Sequence, residues 1–177
     1  VKRETALIRG AFQGTMLRNE IFDFAQLGIY VERADNTARI LDVKYYVLLP
    51  SISWVGSSLD NYQWESILRS VSAHRSYRWV YEADYKPTNI ADFLILSRRM
   101  PRSLAYCYRM IKESLNLLAE DYGERHACHA TLDEICGKLR PGTIATIFDG
   151  GLHEFLRDFI RSNNQLGNEV AQDYRFF

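Results

Sequence analysis

Between Phe24 and Leu48, apolar side chains recur at alternating steps of three and four, through Phe24, Leu27, Val31, Ala34, Ala38, Leu41, Tyr45 and Leu48. That spacing keeps them on one face and predicts a long helix from about Arg18 to Leu49, stopped by Pro50 and the Ser/Gly-rich stretch Ser51 to Ser58. A second helix follows Asp60 or Asn61 as cap and runs to about Ala83, with Trp64, Ile67, Leu68 and Val71 on one side, until Lys86-Pro87 ends it. Thr88 or Asn89 caps a short helix through Leu96. Pro101 suits the first turn of a fourth helix, which runs to about Glu120 through Leu104, Cys107, Tyr108, Ile111, Leu115 and Leu118. A fifth spans about Arg125 to Lys138, and Asp149 opens a last one whose stripe runs from Leu152 to Tyr174. No alternating strand pattern competes. The expected fold is all-α, a bundle of about six helices with one long N-terminal helix, in a single domain over residues 1–177.

The apolar stripe of the long helix is threaded with charge. At about 100° per residue, Asp42 and Asp35 fall roughly 20° and 40° from Val31, while Arg39 and Glu32 flank it at roughly 80° and 100°. Taken literally, this is a buried ionic seam. Its members must pair among themselves or with a facing helix, for example with Arg75 and Arg78, because a charge removed from water costs several kcal/mol unless it is matched. On that reading, removing Arg39 costs roughly 3 kcal/mol. The other reading is a polar groove in which Glu32, Arg33, Asp35, Asn36, Arg39 and Asp42 meet a small ligand or a partner's tail; the two differ in whether water reaches these groups. Arg33 lies about 100° around the helix from Glu32, so the pair should face two surfaces, one internal and one at an interface.

Composition adds limits. An apolar content of 47% with three Trp, eleven Tyr and nine Phe is ample for a core, and four Pro and ten Gly argue against a disordered or many-turned chain. The 22 basic and 22 acidic residues leave no net field to draw the chain to nucleic acid or a membrane surface. Arginine outnumbers lysine 17 to 5, which suits forked contacts to carboxylates and phosphates. Three cysteines, Cys107, Cys128 and Cys136, are too few and too oddly numbered for a disulfide framework, so a reducing cytoplasm is expected. The longest apolar runs are too short to span a bilayer.

The words around the seam are also familiar. Gly28 to Val43, G-I-Y-V-E-R-A-D-N-T-A-R-I-L-D-V, resembles the signature of the bacterial alpha-E family, named for its helices and its Glu-Arg pair. The resemblance extends to G-T-M-L-R-N-E at Gly14 to Glu20, A-D-F-L-I-L-S-R-R-M-P-R-S at Ala91 to Ser103, and G-L-H-E-F-L at Gly151 to Leu156. Family members are about twice this length and carry an earlier Glu-Arg helix, so the chain resembles a C-terminal half whose N-terminal half is missing. The resemblance implies partnership with circularly permuted ATP-grasp ligases and transglutaminase-like proteins, and it carries over no catalytic residue. Where the family pattern often has Asp, this chain has Ser97, so an arrangement that depends on a carboxylate there is not expected.

Other chemistry is thin. A di-iron bundle needs Glu-x-x-His spacing, and the chain has none. His126, Cys128, His129 and Cys136 are the other metal candidates but lack a Cys-x-x-Cys or His-x-x-x-His pair, and no metal or cofactor is expected. A Cys-His nucleophile would need one of the three cysteines to meet a histidine in space. The junction Ser97 to Ser103 places Arg98, Arg99 and Arg102 around a helix start, a composition suited to anions. The expectation is a non-catalytic binding or scaffold domain that works beside an amide ligase, presents a peptide or acid substrate and self-associates through apolar surface left uncovered. The alternatives are an enzyme that uses the seam carboxylates in peptide or amino-acid chemistry, and a purely structural oligomerisation module.

Overall fold

The computed structural model describes residues 2–47, 58–82, 84–140 and 143–176. The described residues form nine helices and no strand: α1 (Lys2–Thr15), α2 (Glu20–Val47), α3 (Ser58–Ser70), α4 (His74–Tyr81), α5 (Pro87–Ile95), α6 (Leu104–Tyr122), α7 (Ala127–Lys138), α8 (Ile144–Asp149) and α9 (Leu152–Asp173). The fold class is as expected, and the larger count has local causes. What reads as one second helix is broken after Ser70, where Ser72 takes a left-handed turn (φ 57) and the Ala73 amide bonds back to the Leu68 carbonyl at 2.7 Å. Val71 and Ala73 are buried on either side of that turn, so the apolar pattern runs through the break unmarked. Asp149 closes α8 instead of opening the last helix, and Gly151 (φ 93) makes the turn into α9. Pro101 stays outside α6, whose cap is Ser103, accepting the Tyr106 amide at 3.1 Å. The expected stop at Pro50 and most of the Ser/Gly-rich stretch lie outside the described residues.

The centre of the bundle is α2, which lies against α6 along one side and α9 along another, with α3 at its far end. Because it is covered from several directions, its buried arc is wider than one apolar stripe. Leu27, Tyr30, Ala34, Ala38 and Leu41 are buried, and so are Asp23, Gln26, Thr37 and Lys44. Each of the last group is a polar side chain in a low-dielectric setting and needs a partner. Lys44 is 3% exposed and its ammonium meets Asp60 of α3, itself 4% exposed, at 2.5 Å and Gln63 at 2.6 Å. Asp60 is thus inside the first turn of α3, in an interhelical ion pair, and not at the expected cap. Asn163 of α9, fully buried, accepts the Tyr108 hydroxyl of α6 at 2.8 Å and donates to the Val31 carbonyl of α2 at 3.2 Å. One amide therefore ties three helices.

The buried ion pair is the tie most sensitive to substitution. Lys44→Ala deprives a buried carboxylate of its ammonium partner and is expected to destabilise the protein by roughly 3–5 kcal/mol, whereas the double variant Lys44→Met, Asp60→Leu should lose less than either single change. Arg39→Ala, on a side chain 55% exposed, should cost below about 1 kcal/mol. Urea unfolding midpoints of these variants against the wild type check both statements.

Candidate functional site

The segment Ser97 to Ser103, between α5 and α6, is a constructed loop. The Ser97 hydroxyl accepts the Arg99 and Met100 amides at 3.4 and 3.2 Å, and the Ser103 hydroxyl donates to the Ser97 carbonyl. Ser97 thereby does the amide-capping work that a carboxylate would also do. The middle of the loop is fixed to α2 from outside: Arg33 donates to the Pro101 carbonyl at 3.2 Å and the Thr37 hydroxyl to the Arg102 carbonyl at 2.8 Å. The Arg33 guanidinium also lies 4.8 Å over the Tyr30 ring.

The loop distributes its three arginines in three directions. Arg102 is half-buried beside Arg33 and Arg9, and burial and then those two cations hold its guanidinium below the ordinary arginine value, with Glu32 acting the other way. Arg98 faces a shallow hollow that also holds Arg109 and Lys112. Arg99 lines an open groove of about 540 Å³ between α4, α5 and the loop. The expected single cluster at the start of α6 is therefore divided, and Ser103 already occupies an amide of that helix start.

The groove combines charge with apolar surface. Arg75 of α4 and Arg99 line it with Asp92 of α5, and Trp79, Phe93 and Met100 supply the apolar lining. Trp79 is 91% exposed. Asp92 accepts the Tyr81 hydroxyl at 3.0 Å on one carboxylate oxygen, and burial together with Asp92 raises the Tyr81 phenol to about 12, so it remains a donor at neutral pH. Among the described residues no carboxylate lies within pairing distance of Arg75 or Arg99. Sequence reasoning missed this site: in one unbroken helix Trp79 would fall roughly 60° from Trp64, on the buried stripe, and the left-handed turn at Ser72 resets the face so that Trp79 points outward.

The seam on α2 is placed differently from the buried network expected. Glu32 and Asn36 are exposed and bonded to each other at 3.3 Å. Asp35 and Arg39 pair within the helix at 2.6 Å, with side chains 22% and 55% exposed. Asp42 pairs with His153 of α9 at 2.6 Å. Arg75 and Arg78 are exposed on α4 and meet none of these groups. The reason is rotational: α2 packs through Tyr30, Thr37 and Lys44 as well as through the stripe, which turns Asp35, Arg39 and Asp42 toward the edge of the contact.

Among the described residues no group of three or more His, Cys, Asp or Glu side chains has the arrangement to hold a metal ion. The candidates are already engaged. His129 is buried, with Nδ1 accepting the His126 amide at 3.1 Å and Nε2 donating to the Leu115 carbonyl at 3.1 Å. Burial raises the Cys107 and Cys128 thiols to about 12 and pushes Cys136 up as well, so none is a thiolate at neutral pH.

The family model described as Alpha-E, a predicted alpha-helical domain with a conserved ER motif, matches residues 1–175. No curated protein and no solved structure matches. Glu32-Arg33 on α2 is one Glu-Arg pair of this chain, and Glu124-Arg125, at the turn before α7, is another.

The thiol environments give a direct check. In the native protein at pH 8, a disulfide reagent such as Ellman's should react slowly, with Cys107 and Cys128 released only on unfolding in urea. A fast stoichiometric reaction of any cysteine in the folded protein would restore the nucleophile reading.

Proposed function

The chain belongs to the Alpha-E family, and we propose that it is a non-catalytic binding or scaffold domain that works in the cytoplasm beside a circularly permuted ATP-grasp-type amide ligase and a transglutaminase-like protein, presenting a peptide or acid substrate. The observation that carries this reading is the groove beside the Ser97–Ser103 loop, in which Arg75 and Arg99 stand without carboxylate partners among the described residues, next to an exposed Trp79. Forked guanidiniums suit the carboxylates and acyl phosphates that an amide ligase handles. The enzyme alternative would draw its acid and base from the seam, and there Asp35 and Asp42 are engaged with Arg39 and His153. No described helix is long and apolar enough to cross a membrane.

Self-association belongs to the same reading. Helix α1 touches α2 where Phe12 stacks on Phe22, at 4.8 Å between ring centroids, and it leaves Leu7 and Ile8 64% and 69% exposed. Exposed apolar surface of this kind is commonly covered by a second copy. Light scattering at tens of micromolar is expected to show a dimer for the wild type and a monomer for Leu7→Glu, Ile8→Glu; a wild-type monomer would remove this part.

The functional test is co-expression with an ATP-grasp protein encoded nearby. The Arg75→Ala, Arg99→Ala variant should lose capture of the ligase and product formation, and Arg157→Ala, at an exposed position of α9, should keep both. Unchanged capture and turnover in the folded double variant would sink the groove. ATP turnover by the isolated chain would instead favour the enzyme reading.

A further inference from the structure

The groove restricts what it can hold. Its volume of about 540 Å³ lies within the range of ordinary ligand sites, about 300–1,000 Å³. It contributes two cations and one anion, a net charge suited to a monoanion. Asp92 would repel a second negative charge, and the wide apolar lining gives a bare phosphate nothing to bury. Trp79, 91% exposed, and Val80, 58% exposed, form an apolar lip that water covers poorly. Below them Phe93 and Met100 are buried at 4% and 6% exposure and make the floor. A ligand that satisfies every wall therefore has a carboxylate for the arginines and a large flat or branched apolar group for the lip and floor. It also has an N–H donor for Asp92, whose other oxygen is held by Tyr81.

We propose that the groove formed by Arg75, Trp79, Asp92 and Arg99 is a receptor for the free C-terminal carboxylate of a peptide whose last residue is aromatic or large and apolar, with Asp92 accepting a backbone N–H of that peptide. The inference rests on the reading of this surface as a binding site and names what it takes. The Ser97 and Ser103 hydroxyls, together with Arg33 and Thr37 of α2, hold the Arg99 backbone before any ligand arrives, so less ordering is left to binding.

The full chain is titrated with N-acetyl-Gly-Phe, its C-terminal amide, N-acetyl-Gly-Ala, 3-phenylpropionate and inorganic phosphate, followed by tryptophan emission and by calorimetry. The emission should respond because Trp79 is exposed and lines the groove, and loss of the response in Trp79→Phe assigns it among the three tryptophans. The acid is expected to bind saturably and its amide about tenfold more weakly. Arg75→Ala and Arg99→Ala should each weaken the acid about fivefold and leave the amide unchanged. Trp79→Ala should abolish the preference for Phe over Ala in calorimetry, and Trp79→Phe should restore it. Equal affinity for acid and amide, phosphate or 3-phenylpropionate, which has no N–H for Asp92, binding as tightly as the acetylated acid, a preference indifferent to Trp79→Ala, or no binding at millimolar peptide would each overturn the proposal. Circular dichroism confirms that the variants are folded. If the Arg75→Ala, Arg99→Ala variant loses the ligase while the wild type binds no peptide, this inference falls and the scaffold reading stands; peptide binding without ligase capture gives the reverse.

Discussion

The structure depends on the desolvation of α2. A helix covered on several sides cannot leave its polar side chains to water, and each buried group without a partner costs about 1–3 kcal/mol. On α2 two such side chains and one backbone group become ties, Lys44 to Asp60 of α3, Thr37 to the loop before α6, and the Val31 carbonyl to Asn163 of α9, while Gln26 Oε1 is buried without a hydrogen-bond partner among the described residues. Each reaches a different element. The polar groups of one helix thus fix where three other parts of the chain sit, and apolar packing fills the space between them.

The groove inherits its geometry from these ties. One side is the Ser97–Ser103 loop, fixed to α2 through backbone carbonyls. The other is α4, anchored by Tyr77, which is fully buried, donates its hydroxyl to the Asp84 carbonyl and stacks on Tyr81 and Tyr85 at 4.9 and 5.8 Å. Tyr81 then holds Asp92. Arg75 and Arg99 therefore stand on backbones that are independently fixed, and freedom at the site is left to the outer ends of its exposed side chains.

The all-α class was legible because the stripes of α2, α6 and α9 are long and regular. On α6, Ile111, Leu115 and Leu118 repeat on one face, and all three are buried. The break between α3 and α4 was not legible, because Ser72 adopts its left-handed turn with no glycine or proline to announce it. The seam misled for a related reason. Helical spacing shows which residues share a face, but which face is buried depends on neighbours, and with α6 and α9 both against α2 the arc moved to include Tyr30, Thr37 and Lys44. Arg99 was legible as a candidate from its loop. Its partners in the groove, Arg75 and Trp79, come from a separate helix, α4, and no local spacing joins them.

The same geometry accounts for the adjacent Glu32 and Arg33. Tyr30, Arg33 and Thr37 lie on one side of α2 toward the loop, and Arg33 uses its ring contact and its donor together: the guanidinium rests over Tyr30 while one of its nitrogens reaches the Pro101 carbonyl. An ammonium could make either contact but has no plane with which to rest on the ring and fork outward at once, so lysine is a poor substitute here. Glu32, one step around the helix, is exposed and accepts the Asn36 amide at 3.3 Å on its own helix, and its effect on the Arg102 charge is minor beside burial, Arg33 and Arg9. The arginine holds the loop backbone, while the glutamate faces outward beside Asn36. Within the pair it is Arg33 that positions: it steadies the loop whose Arg99, Met100 and Pro101 line the groove where a ligand would be met.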